Sequence, residues 1–244
     1  MIALTSSHRI IRLVFLASLL CAGAMGGHAL AQGEIPAAVR RAGQLAPDQA
    51  ALIAEFVKTH AVNLGASKDP QLIKKDREAL LVPLTDPLNT PAFRLKFSEE
   101  LVPTLKKLAD DPNEIVVINA LRLAGDLATA QSVDLVKSAA SAQKPAIRYA
   151  AAFALRRTFE ALGKMQAPTI RQDQADDAVR FIGKRLTEEK DALVIDGLVL
   201  AGIEASRVPV HRALALMNLS TGVSAVAKEQ GSKLASEPLA QALL

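Results

Sequence analysis

Residues 116–128 read VVINALRLAGDLA and residues 193–205 read LVIDGLVLAGIEA, so seven of thirteen positions are identical at an offset of 77 residues. Between them, residues 147–159 read IRYAAAFALRRTF and keep the same alternation of small and apolar side chains with fewer identities. Counting from Val116 as zero, positions 0, 4, 7, 8 and 11 are Val116, Ala120, Leu123, Ala124 and Leu127, one stripe at helical period. The matching sets are Ile147, Ala151, Ala154, Leu155 and Thr158, then Leu193, Gly197, Leu200, Ala201 and Glu204. Position 4 is Ala or Gly in every copy, which lets two helices approach closely. Ile118 and Leu121 lie outside the stripe of the first copy, so that helix needs neighbours on more than one side. A repeat unable to bury its apolar surface alone must stack on copies of itself.

Each copy is followed by a second amphipathic segment, at residues 132–141, 174–188 and 209–219, so the unit is a helical hairpin. The fold class expected is all-α, an α-solenoid of antiparallel helical hairpins. Successive copies start 31 and then 46 residues apart, and the extra length falls on residues 163–171, GKMQAPTIR, where Gly and Pro mark a connecting loop. Such an insertion is either a contact site or a tolerated surface loop.

Upstream, residues 47–64 make a helix with Ala51, Leu52, Phe56 and Val57 on one face, and Asp69-Pro70 opens another that ends near Pro83. Thr90-Pro91 pairs a capping hydroxyl with a proline in the first turn and starts a helix to about Ala109. Asp110, Asp111 and Pro112 then break the chain before the first repeat.

At Ile147-Arg148-Tyr149-Ala150-Ala151-Ala152-Phe153-Ala154-Leu155 the chain resembles the core of HEAT repeats, in particular the HEAT-like type of phycobilisome lyases. Asp110-Asp111-Pro112 and Lys144-Pro145 resemble the turn before that core, and Gly125 and Gly202 match the glycine that often follows it. Val117 and Val194 depart from the pattern, which has arginine there. The resemblance spans roughly residues 90–220 and implies a HEAT-like or ARM-like superhelix with a curved surface that holds a protein or peptide. It also implies that Arg148 pairs with an acidic residue of the adjacent repeat. Chromophore attachment, the enzymatic option the lyase type raises, is disfavoured by export and by the missing cysteine.

The first 31 residues read as an export signal: His8, Arg9 and Arg12, an apolar run from Leu13 to Met25, then Ala29-Leu30-Ala31, with the mature chain starting at Gln32. The run is broken by Ser18, Gly23, Gly26 and Gly27, and Leu20 before Cys21 argues against a lipoprotein signal. The domains expected are the signal at 1–31, an N-terminal helical cap at 32–89, HEAT-like repeats at 90–220 and a C-terminal cap or frayed tail at 221–244. Cleavage removes Cys21, the single cysteine, leaving neither disulfide nor thiolate. It also removes Arg9 and Arg12, so the 29 basic residues fall to 27 against 25 acidic ones and the basic balance nearly vanishes. With one tyrosine and no tryptophan, the chain offers few rings on which bases could stack, and no nucleic-acid partner is expected. No further apolar run approaches membrane-spanning length, so stable insertion after cleavage is not expected.

No metalloprotease helix, phosphate-binding loop, nucleophile elbow or spaced cysteine set is present, and no catalytic, cofactor or metal site is expected. His60 and His211 lie in helices at opposite ends of the stack and read as structural. Asp173, Asp176 and Asp177 open a helix, where the dipole favours carboxylates, and read as structural rather than as a cation site. Of the basic doublets, Arg156-Arg157 sends one charge to solvent and the other to a flank. Asn119 and Asp196, both at position 3, are candidates for an inter-repeat hydrogen-bond ladder. Arg148, Tyr149, Arg156 and Phe159 are the candidate partner-binding residues, because arginine and aromatic side chains anchor interfaces.

The function expected is therefore a non-enzymatic, exported scaffold for a protein partner in the periplasm or extracellular space. A self-assembling envelope component is the alternative. A polar pocket lined by convergent titratable groups would point instead to a small-molecule binder or enzyme.

Overall fold

The computed structural model describes residues 34–67 and 69–230. The expected signal with Cys21 and its cleavage point, and residues 231–244 of the expected C-terminal segment, lie outside the described residues. The described chain forms α1 (Ala37–Arg40), α2 (Pro47–Ala61), α3 (Asn63–Ala66), α4 (Pro70–Leu81), α5 (Pro91–Ala109), α6 (Glu114–Leu127), α7 (Ala130–Ala139), α8 (Pro145–Lys164), α9 (Gln172–Glu188), α10 (Ala192–Arg207) and α11 (Arg212–Gln230). Short 3-10 turns sit at Val82–Leu84 and Pro209–His211, and no strand occurs among the described residues.

Most helix starts follow from local chemistry. The Asp69 carboxylate accepts from the Gln71 amide at 2.8 Å, and Asn113 accepts from Ile115 at 3.0 Å. Thr90 accepts from Phe93, and Asp191 accepts from Leu193 and Val194, so each side chain satisfies a first-turn N–H with no partner in the helix.

Packing then orders the helices into two rows. Along one row α4, α6, α8 and α10 each contact the next, and along the other α5, α7, α9 and α11 do the same. α6 touches α3, α4, α5, α7 and α8, which explains why Leu121, outside its main stripe, is buried with the rest. α2 packs on α4 and α5 and brings Phe56 against Phe97, whose ring also meets Phe93.

The contact of α6 with α8 depends on a missing side chain. A Cβ on Gly125 would lie 2.6 Å from the Ala154 carbonyl oxygen and 2.9 Å from its Cα, so only glycine lets these backbones approach. The same rule recurs between α9 and α11, where a Cβ on Gly222 would stand 2.7 Å from Leu186 Cβ.

The repeat register holds in the first copy, whose five stripe residues are all buried, and in the second except for half-buried Ile147. In the third copy Leu193 is exposed and Leu200 and Glu204 are half-buried, while Val194, Ile195, Leu198 and Val199 are buried. The cause is α10's position, with α8 on one side and α9 and α11 on others, which turns its most apolar faces away from the stripe. In α2, Ile53 and Val57 are buried whereas Ala51 is exposed, so the buried face is rotated from the one expected.

The helix expected at residues 209–219 continues to Gln230, so no break occurs at the expected 220/221 boundary. The inserted loop begins later than expected, because α8 runs through Lys164. It is also fastened: Ile170 is buried, and the Thr169 hydroxyl donates to the Ala128 carbonyl. Ala128 ends α6 in the left-handed conformation (φ 51°), which turns the chain sharply into α7.

Candidate functional site

The four expected partner residues all lie on α8, and its neighbours divide them. Arg148 faces the turn before α10, where its Nε and Nη2 donate to the two carboxylate oxygens of Glu189 at 2.7 and 2.9 Å. Its Nη1 donates to the Ala142 and Gln143 carbonyls, so the guanidinium is committed within the fold. This pair ties α8 to the turn before α10 and occupies the Arg148 guanidinium. Glu189 is only 4 % exposed. Burial opposes its ionisation, but Arg148 and the Asp191 and Lys190 amides outweigh that and hold its carboxyl at about 2.

Phe159 is 1 % exposed and meets the His211 ring edge-on at 6.4 Å between centroids, so it belongs to the core. Tyr149 is 41 % exposed and lays one edge of its ring on α10, with Cδ2 3.3 Å from where a Cβ on Gly197 would stand. Arg156 is half-buried and has no hydrogen bond or ion pair among the described residues. Arg157 turns inward to Asp126 and Glu160, so the doublet divides as expected.

Tyr149 and Arg156 share their face with Phe153, one turn beyond Tyr149 and 36 % exposed. α6 carries exposed Ile115, half-buried Ile118 and exposed Arg122 at helical spacing. α10 carries exposed Leu193 and Ile203 with half-buried Asp196 and Leu200 between them. The close approaches at Gly125 and Gly197 make α6 and α10 neighbours of α8, and each of the three helices leaves apolar side chains exposed. Phe153 was legible in the sequence as the aromatic i+4 partner of Tyr149.

The expected ladder at position 3 does not form. Asn119 Oδ1 accepts from Arg77 Nη1 of α4 at 2.7 Å, and Asp196 has no hydrogen bond among the described residues. The acidic cluster at the start of α9 is dispersed among three partners, with Asp173 on Arg171, Asp176 on His211 and Asp177 on Lys137. His60 repeats the histidine pattern at the other end of the chain, its Nδ1 standing 2.7 Å from Asp76 Oδ1. Among the described residues no three metal-ligating side chains converge, and no helix is long and apolar enough to cross a membrane.

A charged cavity of about 100 Å³ opens where the 84–87 turn meets α5, α6 and α8. Leu84, Pro87, Ala161 and Met165 supply apolar walls, and Arg94, Asp126, Arg157, Glu160 and Lys164 supply charge. Arg94 is 3 % exposed and donates to the Asp126 and Leu84 carbonyls at 3.1 and 2.5 Å. Burial lowers its pKa and raises that of Asp126, the latter opposed by Arg157. The sequence carried a signal for this site that went unused: Arg94 stands in register with buried Phe97, Leu101 and Leu105, a charge on an apolar stripe.

No protein-family model matches the chain, and no curated protein matches it. Among solved structures it is similar to an engineered protein from the Northeast Structural Genomics Consortium, at 16 % identity over 80 % of this chain and 86 % of that one, with a TM-score of 0.43.

Proposed function

We propose that the chain is a HEAT-like α-solenoid acting after export as a non-enzymatic scaffold, and that it holds a protein partner on the outward face of α6, α8 and α10. The observation that carries this reading is the set of exposed apolar side chains on three helices that pack side by side, with Tyr149 and Phe153 on the middle one. Contiguous exposed apolar surface of this kind marks interaction sites, and tyrosine, phenylalanine and arginine are suited to anchoring them. The two rows of helices and the export signal expected at residues 1–31 support the architecture and the location proposed.

The test uses residues 32–244 as bait in an envelope extract, beside a Tyr149→Ser/Phe153→Ser double variant with an unchanged melting temperature. Specific retention by the parent protein and its loss in the variant is the expected result. Equal retention by both overturns the assignment of this face. Light scattering separates the alternative of self-assembly, which requires the same face to bury itself against a second copy.

A further inference from the structure

The cavity bounded by α5, α6 and α8 is lined by three cations and two carboxylates. Arg157 Nε reaches Asp126 Oδ2 at 3.4 Å and Arg157 Nη1 reaches Glu160 at 2.9 Å, while Lys164 takes the other Glu160 oxygen at 2.6 Å. Both lining carboxylates are thereby engaged by Arg157 and Lys164. Arg94, the most buried of the three lining cations, hydrogen-bonds to backbone carbonyls alone, the Asp126 and Asp86 carboxylates acting on it only at a distance, and its buried Nε–H has no acceptor in the protein. A guanidinium carries five N–H donors, and a buried cation is ordinarily paired with an anion, because removing it from water costs several kcal/mol.

We propose that this cavity binds a small monocarboxylate, with Arg94 as its counter-ion and the apolar walls receiving its carbon chain. Three cations against two carboxylates leave one positive charge, which matches a monoanion better than a phosphate. The volume of about 100 Å³ corresponds to roughly three waters at ~30 Å³ each. That is room for a carboxyl group with a very short chain, and Leu84, Pro87, Ala161 and Met165 give that chain apolar contact. The same chemistry could come from a free short-chain acid or from the carboxyl end of a peptide entering through the mouth. The site is separate from the outward face of the scaffold, so loss of partner binding leaves it standing.

The Arg94 Nε–H cross-peak in a nitrogen-15 correlation spectrum of the full chain is the direct readout, titrated with sodium acetate and, separately, with sodium chloride at equal ionic strength. A saturable shift with acetate alone is expected. Ala161→Leu, which fills the cavity, removes the response. Lys164→Ala, which cancels the excess charge at an exposed position, weakens binding about tenfold, the effect of about 1.4 kcal/mol. N-acetylglycine distinguishes the two sources: tighter binding than acetate assigns the site to a peptide terminus, and weaker binding assigns it to a free acid. Equal shifts with chloride and acetate, a shift that never saturates, or an unaltered acetate response in Ala161→Leu would overturn the proposal and leave water as the occupant.

Discussion

Replacing Glu189 with glutamine removes the charge from the pair that ties α8 to the turn before α10. The Glu189 carboxyl titrates at about 2 in the fold against an ordinary 4.5. At about 1.4 kcal/mol per tenfold change in proton affinity, that gap corresponds to roughly 3 kcal/mol of folding stability. The folded value is the depressed one, so the contribution is fully present above pH 4.5 and is lost as the pH falls toward 2. Urea denaturation followed by circular dichroism should therefore place Glu189→Gln about 3 kcal/mol below the parent at neutral pH. For a domain of this size that corresponds to a melting temperature lower by roughly 6–12 °C. Near pH 2 the two proteins should nearly converge, because the parent carboxyl is then about half protonated in the fold and neutral in the unfolded chain. Arg148→Ala should show most of the same loss, and the double variant little more than either single one, because the two side chains act as a unit. Equal stability at neutral pH, or a difference that persists undiminished into acid, would refute the assignment of this pair as the tie between α8 and the turn before α10.

Three further outcomes follow from named contacts. Gly125→Ala pushes a methyl into the Ala154 backbone and should cost about 1–3 kcal/mol by urea denaturation, whereas Gly43→Ala, with nothing within 4 Å of the new carbon, should leave stability nearly unchanged. Asn119→Ala strands the Arg77 guanidinium between α4 and α6 and should cost about 1–3 kcal/mol. An unchanged melting temperature would show that this contact does not hold the N-terminal helices. Thr169→Val removes the hydroxyl that fastens the inserted loop to the end of α6, and amide exchange across residues 165–171 should accelerate while α8 and α9 keep their protection.

Much of the fold could be read from neighbours in sequence. Asp69, Thr90, Asn113 and Asp191 stand where they cap the helices they start, and Gly197, at position 4, stands where α10 comes close to α8. These signals act within a turn or two of the chain, so the order of residues alone expresses them. Register was less legible. Leu193 and Leu200 fit the shared stripe yet face outward or only half inward, because burial on α10 depends on how many helices surround it. α11 outran its expected end, and it packs along α9 with Gly222 set against Leu186, a contact that no local signal in the sequence states.

The sequence by itself determined the helices, their caps, the repeat and the close-packing positions, since each follows from periodicity or from a side chain reaching its own first turn. The tertiary structure decided which polar residues became internal. Arg148 met Glu189, Arg157 met Asp126, and Asn119 met Arg77, across separations of 41, 31 and 42 residues. It also placed Phe159 in the core while leaving Tyr149 and Phe153 on the surface, and it left Arg94 buried beside a cavity with no carboxylate hydrogen-bonded to it. The physical reason is that a charge on an apolar stripe states a cost, while the partner that offsets it is supplied by another helix whose position only stacking fixes.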